Sequence, residues 1–375
     1  MKNILLMCLS KSGAAPAFIL SIANGFNSNK NNRVYCIVSS GIENRQAWNE
    51  AGNRGIKVLF IETGNTKTFF ISTIKFLAVG KKQVEEFISG KCISVSMQTL
   101  THPWMYFINK WVNPKHNMVV VHDPEPHSGE KKVNTFISRF MYRYTPEVIV
   151  MTKKFIPVVE KIYKKKQKNI YYMYHGIYDN YHNMVSVPEM SGFKFRKYNL
   201  VFFGRIEEYK GIDVLIKAYS KICQSYKDIT LTIAGNGDIR PYVNQIKDLP
   251  EINIINRYIR DEEIGTLFSI ENEIIVLPYK DATQSGVIPV AVDFNVPVVA
   301  TNTGGLVEQL NNGNLGVFAN PDDENSLVYA ILKYIRDEEF FRKQKIKMNE
   351  FKKEIQWSQI TEKLLSEIDS RESYL

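Results

Sequence analysis

The sequence has few of the features that mark secreted, metal-binding or membrane-spanning chains. Its 375 residues include only four cysteines, which are scattered, with no CxxC pair and no metal-ligand spacing. This argues against a disulfide framework and a zinc site, and it is typical of a reducing cytoplasm. No apolar run reaches the roughly 18 residues that a spanning helix needs. The start, MKNILLMCLSKSG, predicts a strand and a loop rather than a signal peptide.

Internal repeats and low-complexity tracts are also missing from the sequence. Their absence argues against repeat architectures and disordered chains. With 44% hydrophobic and 23% charged residues, the composition is that of an ordinary globular protein. A chain of this length suits two domains better than one core.

Acidic residues are scarce in the first half of the chain. Residues 1–185 carry 25 Lys and Arg against 11 Asp and Glu, a net charge of +14, whereas the rest carry 23 against 28, a net charge of −5. This asymmetry indicates an anionic partner near the first half, either nucleic acid or a membrane surface. No nucleic-acid-binding module is recognisable, so we expect no nucleic-acid partner.

Short apolar runs rich in β-branched residues alternate with longer amphipathic stretches. Seven runs precede a polar, irregular segment at 180–198, and six follow it. This alternation predicts βα units and parallel sheets, with the polar segment as a linker. We therefore expect an α/β chain of two doubly wound, Rossmann-like domains, at 1–185 and 186–355. A C-terminal helix at 356–375 is expected to pack back toward the first domain.

The segment VFFGRIEEYKG, at 201–211, holds the first candidate ligand site, because ligands bind open α/β sheets at the carboxyl ends of strands. Gly204 ends a predicted strand and lets a ligand approach the backbone. Arg205 and Lys210 then place two cations that could neutralise a diphosphate. The alternative interpretation is a solvated charged loop, since two glutamates lie between them.

Three further loops follow predicted strands. After EIIVLPY, a small polar loop leads into an apolar helix from about Gly286, with Ser285 as its N-cap and a free N-terminus as an anion site. A cap on a buried helix is the purely structural alternative. His122 ends the run VVVHD, where it could donate to a substrate hydroxyl or handle a proton. A small-residue loop around Gly13 leaves the backbone open to a ligand.

These motifs, in this order, resemble family 4 of the glycosyltransferases, retaining enzymes of the GT-B fold whose two Rossmann-like domains face across a cleft. The resemblance covers nearly the whole chain and is strongest over 199–310, in GRIEEYKG, LTIAGNGD and PVVATNTGGLVE. It implies that Arg205 and Lys210 bind the donor diphosphate and that His122 contacts the donor sugar, and we assign these three to catalysis. The implied donor-binding residues are Gly13, Gly204, Gly235, Arg257, Tyr258, Ile259, Asp281, Thr283, Gln284, Ser285, Gly286 and Val287.

One departure from the family pattern concerns two glutamates that normally stand eight positions apart before PVVA. The matching positions here are Ala282 and Val290, so both carboxylates are missing. Gln284 or Asp281 is the candidate replacement for the first glutamate's contact. The ribose contact of the second is left without a residue.

The resemblance implies a transferase that needs no metal and no cofactor. Its donor is expected to be a nucleotide-sugar and its acceptor an oligosaccharide or a lipid-linked sugar. Positive groups would stabilise the departing diphosphate while the acceptor hydroxyl attacks from the same face. The forms ATQSG and HDPEPHSG are similar to a subgroup from bacterial surface-polysaccharide assembly (O-antigen, capsule or exopolysaccharide).

Two alternatives stay open at the level of sequence. A nucleotide-sugar-binding protein without transferase activity is favoured by the two missing glutamates. A nucleotide-sugar epimerase of the same fold would need acidic or histidine groups at the anomeric carbon, and the second domain shows few.

A lipid-linked acceptor would explain the basic first domain through attraction to anionic head groups. The protein would then be cytoplasmic and peripheral at the inner face of the plasma membrane. The candidate contact residues are Trp104, Tyr106, Lys110, Trp111, Lys115 and the lysine run at 161–168. The competing interpretation is that the aromatic residues form core and the lysines are simply solvated.

Overall fold

The computed structural model describes residues 1–64, 68–99, 102–124, 132–178, 181–182 and 185–373. The chain divides into two compact units. Unit 1 is Met1–Gly176 together with Ile355–Leu375, and unit 2 is Ile177–Glu354. The boundaries expected from the sequence, at 185 and 355, lie close to these.

Unit 1 is built on a seven-stranded parallel sheet with the order β3-β2-β1-β4-β5-β6-β7. Its strands are Lys2–Cys8 (β1), Asn32–Ser39 (β2), Lys57–Ile61 (β3), Val95–Gln98 (β4), His116–Val121 (β5), Glu147–Val150 (β6) and Ile170–Tyr172 (β7). Its helices are Ala14–Ser28 (α1), Arg45–Asn53 (α2), Phe69–Ile88 (α3), Pro103–Val112 (α4), Lys132–Tyr144 (α5) and Ile156–Tyr163 (α6). Strands β1 to β3 are added toward one edge of the sheet and strands β4 to β7 toward the other, so the strand order reverses between β1 and β4. Such a reversal point opens a crevice at the carboxyl ends of the two strands.

Unit 2 is built on a six-stranded parallel sheet with the order β10-β9-β8-β11-β12-β13. Its strands are Tyr198–Phe203 (β8), Ile229–Ala234 (β9), Ile252–Ile255 (β10), Glu273–Leu277 (β11), Val298–Thr301 (β12) and Gly316–Ala319 (β13). Its helices are Ile212–Ser225 (α7), Val243–Ile246 (α8), Ile264–Leu267 (α9), Val287–Asp293 (α10), Leu306–Gln309 (α11), Glu324–Arg336 (α12) and Glu338–Glu354 (α13). The reversal in this sheet lies between β8 and β11.

The sequence pattern predicts the strands of both sheets correctly. Each of the thirteen apolar runs overlaps one strand, so the expectation of two doubly wound α/β units is confirmed. The strands read as continuous apolar runs because parallel sheets are covered by helices on both sides. In β9 and β11, every residue is buried.

Trp104 is the centre of a core cluster beneath α3 and α4 in unit 1. Its ring is fully buried and stacks on Phe76, with 4.2 Å between ring centroids, and its Nε1 donates to Thr73 Oγ1 at 3.0 Å. Trp111 packs against the same cluster, whereas Tyr106 is 47% exposed. The prediction that Trp104 contacts a membrane is therefore wrong, and the core interpretation is correct for it. Among the described residues, no helix combines the length and hydropathy needed to cross a bilayer.

The C-terminal helix Trp357–Ser373 (α14) is anchored in unit 1 through its first residue. Trp357 is buried, and its ring meets Phe18 of α1 edge-on at 5.4 Å between centroids. A Cβ on Gly25 would lie within 2.6–2.7 Å of the Trp357 backbone and Cβ. Glycine at this position therefore permits the close approach of α1 and α14.

His116 links the far end of α14 to the amino-terminal edge of the unit 1 sheet. Its Nδ1 lies 2.9 Å from Glu147 Oε1, and its Nε2 lies 2.5 Å from Glu372 Oε1. Lys115 adds an ion pair to Glu372 at 2.6 Å. Burial alone would lower the pKa of His116, but the hydrogen bonds and charges of Glu372 and Glu147 outweigh burial and raise its pKa above 6.5.

Trp357→Ala should lower the free energy of unfolding by about 3–5 kcal/mol, because it removes a large buried ring and leaves a cavity between α1 and α14. Denaturant unfolding followed by tryptophan-independent circular dichroism would measure the change. Tyr329→Ala, which truncates an exposed ring on α12, is the control and should change stability little. A loss in Trp357→Ala no larger than in the control would contradict the anchoring role.

The His116 cluster should make stability depend on pH in a defined direction. Because the folded-state pKa of His116 is raised, its contribution is fully present below the unfolded value of 6.5 and is lost as pH rises through the folded-state pKa. Wild type should exceed His116→Gln in stability most at low pH, and the difference should shrink as pH rises. Unfolding free energies between about pH 5 and pH 9 would test this. A difference that stays constant or grows would contradict it.

Candidate functional site

The reversal between β8 and β11 brings two of the predicted loops together in unit 2. The loop after β8 carries Gly204, Arg205 and Lys210, and the loop after β11 carries residues 278–286. Both leave the sheet at its carboxyl edge, where open α/β sheets bind ligands. The sequence predicted these loops as separate candidates, and the sheet order makes them neighbours.

The two loops touch through their backbones. Lys280 N–H donates to Tyr209 O at 2.8 Å. Gly211, in the left-handed region with φ 69°, lies so close to Pro278 that a Cβ there would overlap the Pro278 carbonyl oxygen. Gly235, after β9, has φ 154° and is packed in the same way against the carbonyl oxygen of Gly204. These glycines therefore permit a spacing that a larger residue would prevent.

Lys210 is positioned by an aromatic ring rather than by a carboxylate. Its Nζ lies 3.7 Å from the centroid of the Tyr279 ring, which is fully buried. Such a contact holds the ammonium in place without neutralising its charge. Tyr279 is itself fixed, because Thr301 Oγ1 donates to its carbonyl oxygen at 2.5 Å. Within the described part of the chain, no carboxylate forms an ion pair with Lys210.

Arg205 and Lys280 differ in how far their charges are already used. The Arg205 side chain is 72% exposed, and its polar contacts with described residues are long, to Glu207 at 3.7 Å and to the Tyr209 hydroxyl at 3.4 Å. Lys280 is paired with Asp213 at 3.1 Å and Asp322 at 3.3 Å. The charge of Lys280 is therefore already neutralised by carboxylates of the protein. The charges of Arg205 and Lys210 are available to an anion.

The Ser285 peptide is held by the buried side chain of Gln309. Gln309 Oε1 accepts from Ser285 N–H at 2.7 Å, and Gln309 Nε2 donates to Ser285 O at 3.1 Å. Ser285 Oγ in turn accepts from Val287 N–H at 3.2 Å. The N-cap of α10 is Gly286, so the predicted cap at Ser285 is wrong by one residue. One amide side chain thus binds both the backbone N–H and the backbone carbonyl of Ser285, just before α10.

The loop residues named with Ser285 differ in burial. Thr283 and Val287 are buried, Gly286 and Gln284 are partly buried, and Asp281 is exposed. Gln284 Oε1 is buried and accepts no hydrogen bond within the described part of the chain. An unsatisfied buried acceptor is costly, so this atom is suited to a donor group on a ligand.

The two positions where the family carries glutamate have become structural. Ala282 is buried, and its carbonyl oxygen accepts from Gly305 N–H at 3.2 Å. Val290 lies in α10, whose seven residues are all buried, as expected from the apolar sequence of this helix. Neither position offers a side chain to a polar ligand.

Arg257 follows β10 and is fully engaged with two carboxylates. Its guanidinium donates to Glu189 at 2.6 and 2.9 Å and to the buried Glu263 at 2.8 and 2.9 Å. Although burial alone would raise the pKa of Glu263, hydrogen bonds from Arg257 and Arg260 lower it to about 2. Tyr258 is exposed and Ile259 is buried. A contact of residues 257–259 with a nucleotide base stays a prediction.

In unit 1, the loop after β1 binds the side chain of Glu43, which comes from the loop after β2. Gly13 has φ 88°, immediately precedes α1, and has open space where a Cβ would project. Its N–H donates to Glu43 Oε1 at 2.9 Å. A carboxylate is favourable at the positive end of a helix dipole, so Glu43 occupies the place where the sequence suggested a ligand.

His122 lies at the carboxyl end of β5, as the sequence predicted. Its Nε2 is 2.7 Å from Thr99 Oγ1, which follows β4, and its ring is 5.3 Å from that of Phe18. Burial lowers the pKa of His122, although the charge of Asp123 opposes the shift. The imidazole is therefore neutral near pH 7 and suited to hydrogen bonding rather than to charge stabilisation.

Several contributors to these sites were not found from the sequence. Tyr279, Gln309, Glu43 and Thr99 act through contacts between segments far apart in the chain, and their local patterns carry no signal. His127 and most of the motif HDPEPHSG lie outside the described residues. In the described ranges, no cluster of three or more His, Cys, Asp or Glu residues is arranged to hold a metal ion.

Comparison with known proteins finds a family match within unit 2. Residues 197–337 match the family described as glycosyl transferases group 1. Mannosylfructose-phosphate synthase of Agrobacterium fabrum is 23% identical over 249 residues, covering 62% of this chain and 54% of that protein. The chain spans about half the length of the curated relatives it matches.

Solved structures match the fold over nearly the whole chain. HepE of Anabaena, in complex with UDP and glucose, has a TM-score of 0.71 and 15% identity, covering 99% of this chain and 100% of that one. WaaG, a glycosyltransferase involved in lipopolysaccharide biosynthesis, has a TM-score of 0.63 and 13% identity over 96% and 98% of the two chains. These likenesses show that the chain has the GT-B fold. Residues 197–337, which match the group 1 glycosyl transferases, lie within unit 2.

Gln309→Leu should loosen the loop after β11, because it leaves the Ser285 N–H and carbonyl without their partner. We expect a loss of about 1–3 kcal/mol of stability and faster amide hydrogen exchange over residues 278–290. Exchange followed by mass spectrometry would measure the second effect. Gln344→Leu, which removes another buried amide on α13, is the control and should leave exchange at 278–290 unchanged. Equal protection of this loop in both variants would contradict the role of Gln309.

Proposed function

We propose that the protein transfers a sugar from a nucleotide-sugar donor, with Arg205 and Lys210 binding the donor diphosphate. The observation that carries the proposal is the pair of available cations at the reversal point of the unit 2 sheet. Lys210 is aimed by the Tyr279 ring and Arg205 is open to solvent, while the third cation nearby, Lys280, is neutralised. A guanidinium and an ammonium together match the two phosphates of such a donor.

The leaving group needs stabilisation most as the sugar–phosphate bond breaks. Charges fixed in advance by the fold lower the barrier because they need not reorganise at that moment. The contact of Lys210 with Tyr279 supplies such preorganisation. The close backbone contacts at Gly211 and Gly235 fix the spacing of the loops. Catalysis by these two cations requires no resident metal or cofactor, so full activity is expected after treatment with EDTA.

We place Gln284 at the transferred sugar. Its buried, unsatisfied Oε1 is suited to accept a hydrogen bond from a sugar hydroxyl, the contact left open by the loss of a glutamate at Ala282. In unit 1, the neutral His122 has the chemistry to hydrogen-bond a sugar hydroxyl. Both assignments extend the resemblance to family 4, as does transfer with retention of the anomeric configuration.

The acceptor proposed here is an oligosaccharide or a lipid-linked sugar in bacterial surface-polysaccharide assembly. The support is the resemblance of ATQSG and HDPEPHSG, together with the likeness of the fold to a glycosyltransferase involved in lipopolysaccharide biosynthesis. HepE was solved with UDP and glucose, so UDP-sugars are the donors to test first.

Lys210→Ala and Arg205→Ala should each lower turnover on the order of 10²-fold, because each removes a charge that stabilises the leaving diphosphate. Both should unfold at nearly the wild-type temperature, since neither side chain is part of a core. Nucleotide release from UDP-, GDP-, ADP- and CMP-sugars, with and without a membrane extract of a polysaccharide-making bacterium, would provide the assay. Proton NMR of the product would show the anomeric configuration.

Lys217→Ala is the matched control, because Lys217 is an exposed lysine on α7. It should retain wild-type turnover. Parallel losses of activity and melting temperature in the Arg205 and Lys210 variants would contradict a catalytic role. Nucleotide binding without release from any donor would instead favour a binding protein.

A further inference from the structure

The first half of α3 exposes an unusual number of large apolar side chains. Its inward side is apolar as expected, with Phe76, Val84 and Ile88 buried. The outward residues are apolar as well: Phe69, Phe70, Ile71, Ile74, Leu77 and Val79 are all exposed. Phe70, Ile71 and Ile74 are 75%, 69% and 56% exposed. A water-facing helix surface is normally polar, and contiguous exposed apolar patches mark interaction sites.

Neighbouring helices extend this apolar surface. α4 packs on α3 through the stacked rings of Trp104 and Phe76, and Met141 of α5 belongs to the same core cluster. The three helices therefore cover one side of the unit 1 sheet. Their exposed aromatic residues are Tyr106 of α4 and Phe136, Phe140 and Tyr144 of α5. We call these residues, together with the six of α3, the apolar patch.

Basic side chains accompany the patch. Lys75 lies between Ile74 and Phe76 in the sequence and is 75% exposed, with Glu62 no closer than 4.0 Å. Lys110 on α4 and Arg139 and Arg143 on α5 are exposed on the same helices. Lys81 and Lys82 are partly neutralised by Glu85 and Glu86 one turn later in α3. On α3, α4 and α5 the charged residues are positive except for Glu85 and Glu86, in keeping with the net charge of +14 over residues 1–185.

This combination selects one kind of partner. Aromatic and branched apolar side chains among lysines and arginines fit the interface of an anionic lipid bilayer, where rings enter the head-group region and cations meet phosphates. A second copy of the chain packed patch against patch would instead bring like charges together, which is unfavourable. We propose that the apolar patch docks unit 1 on an anionic membrane surface, with Phe70, Ile71 and Ile74 inserted among the lipids.

The position of the patch also bears on the acceptor. α3, α4 and α5 are the helices that follow β3, β4 and β5 in the chain, so each is entered from the carboxyl edge of the unit 1 sheet. Gly13 and His122 lie at this same edge. Docking through the patch would therefore bring a lipid-linked acceptor to the strand ends. The inference rests on the proposed function for its purpose, but membrane binding can be measured without any transferase activity.

Vesicle binding by the triple variant Phe70→Ser/Ile71→Ser/Ile74→Ser tests the patch. Wild type should float with phosphatidylglycerol vesicles and bind phosphatidylcholine vesicles far more weakly. The triple variant should lose binding on the order of 10²-fold, because it removes the inserting apolar area. Lys75→Glu with Lys110→Glu should weaken binding mainly at low salt, where charge attraction is strongest. Tyr329→Ser, at an exposed ring of unit 2, is the control and should bind as wild type does.

Tryptophan fluorescence adds a test of geometry. Phe70→Trp should shift its emission to the blue and be quenched by brominated lipids, whereas Tyr329→Trp should show neither effect. Unchanged flotation of the triple variant would overturn the proposal. A wild-type dimer in light scattering that the triple variant converts to a monomer, without vesicle binding, would overturn it in favour of a second copy.

Nucleotide release without acceptor, and melting temperature, should match wild type in the triple variant. Loss of this release in Lys210→Ala but not in the triple variant separates donor chemistry from docking.

Discussion

The close backbone contact between the loops after β8 and β11 is the constraint on which the proposed donor site depends. Gly211 has no side chain to clash with the Pro278 carbonyl, so Tyr209 and Lys280 can share a hydrogen bond. Only at this spacing does the Tyr279 ring lie under the Lys210 ammonium. A charge is thereby aimed at the carboxyl edge of the sheet by an aromatic surface, which leaves it free for an anion.

The loop after β11 departs from the family 4 pattern that the sequence resembles. Where that pattern has glutamates, this chain has Ala282 and Val290, which are buried. Its polar groups are placed differently, with Gln309 fixing the Ser285 peptide and the Gln284 oxygen left unsatisfied. Both of these side chains are uncharged amides, at a loop that we propose to lie beside the donor phosphates. This arrangement would avoid repulsion between a carboxylate and an anionic donor, because an amide contributes hydrogen bonds without negative charge.

In unit 1, the predicted ligand positions at the strand ends differ in character from the outer surface of the helices. Glu43 accepts a hydrogen bond from the Gly13 N–H, and His122 is neutral and bonded to Thr99, so neither predicted ligand position adds a positive charge to the carboxyl edge. Part of the basic excess seen in the sequence lies on α3, α4 and α5, the helices that also expose rings such as that of Phe70. Positive charge and exposed apolar area therefore occur together on these three helices.

The sequence by itself determined the two parallel sheets, because buried strands are apolar runs that a local pattern reveals. It also determined that glycines and cations occur together in the loop after β8, because they stand close to one another in a short motif. Tertiary structure alone decided which cations are spent, as with Lys280, and which rings are core, as with Trp104. It also decided that the outward side of α3 is apolar. Those outcomes depend on partners distant in sequence, and periodicity cannot show which side of a helix finds a neighbour.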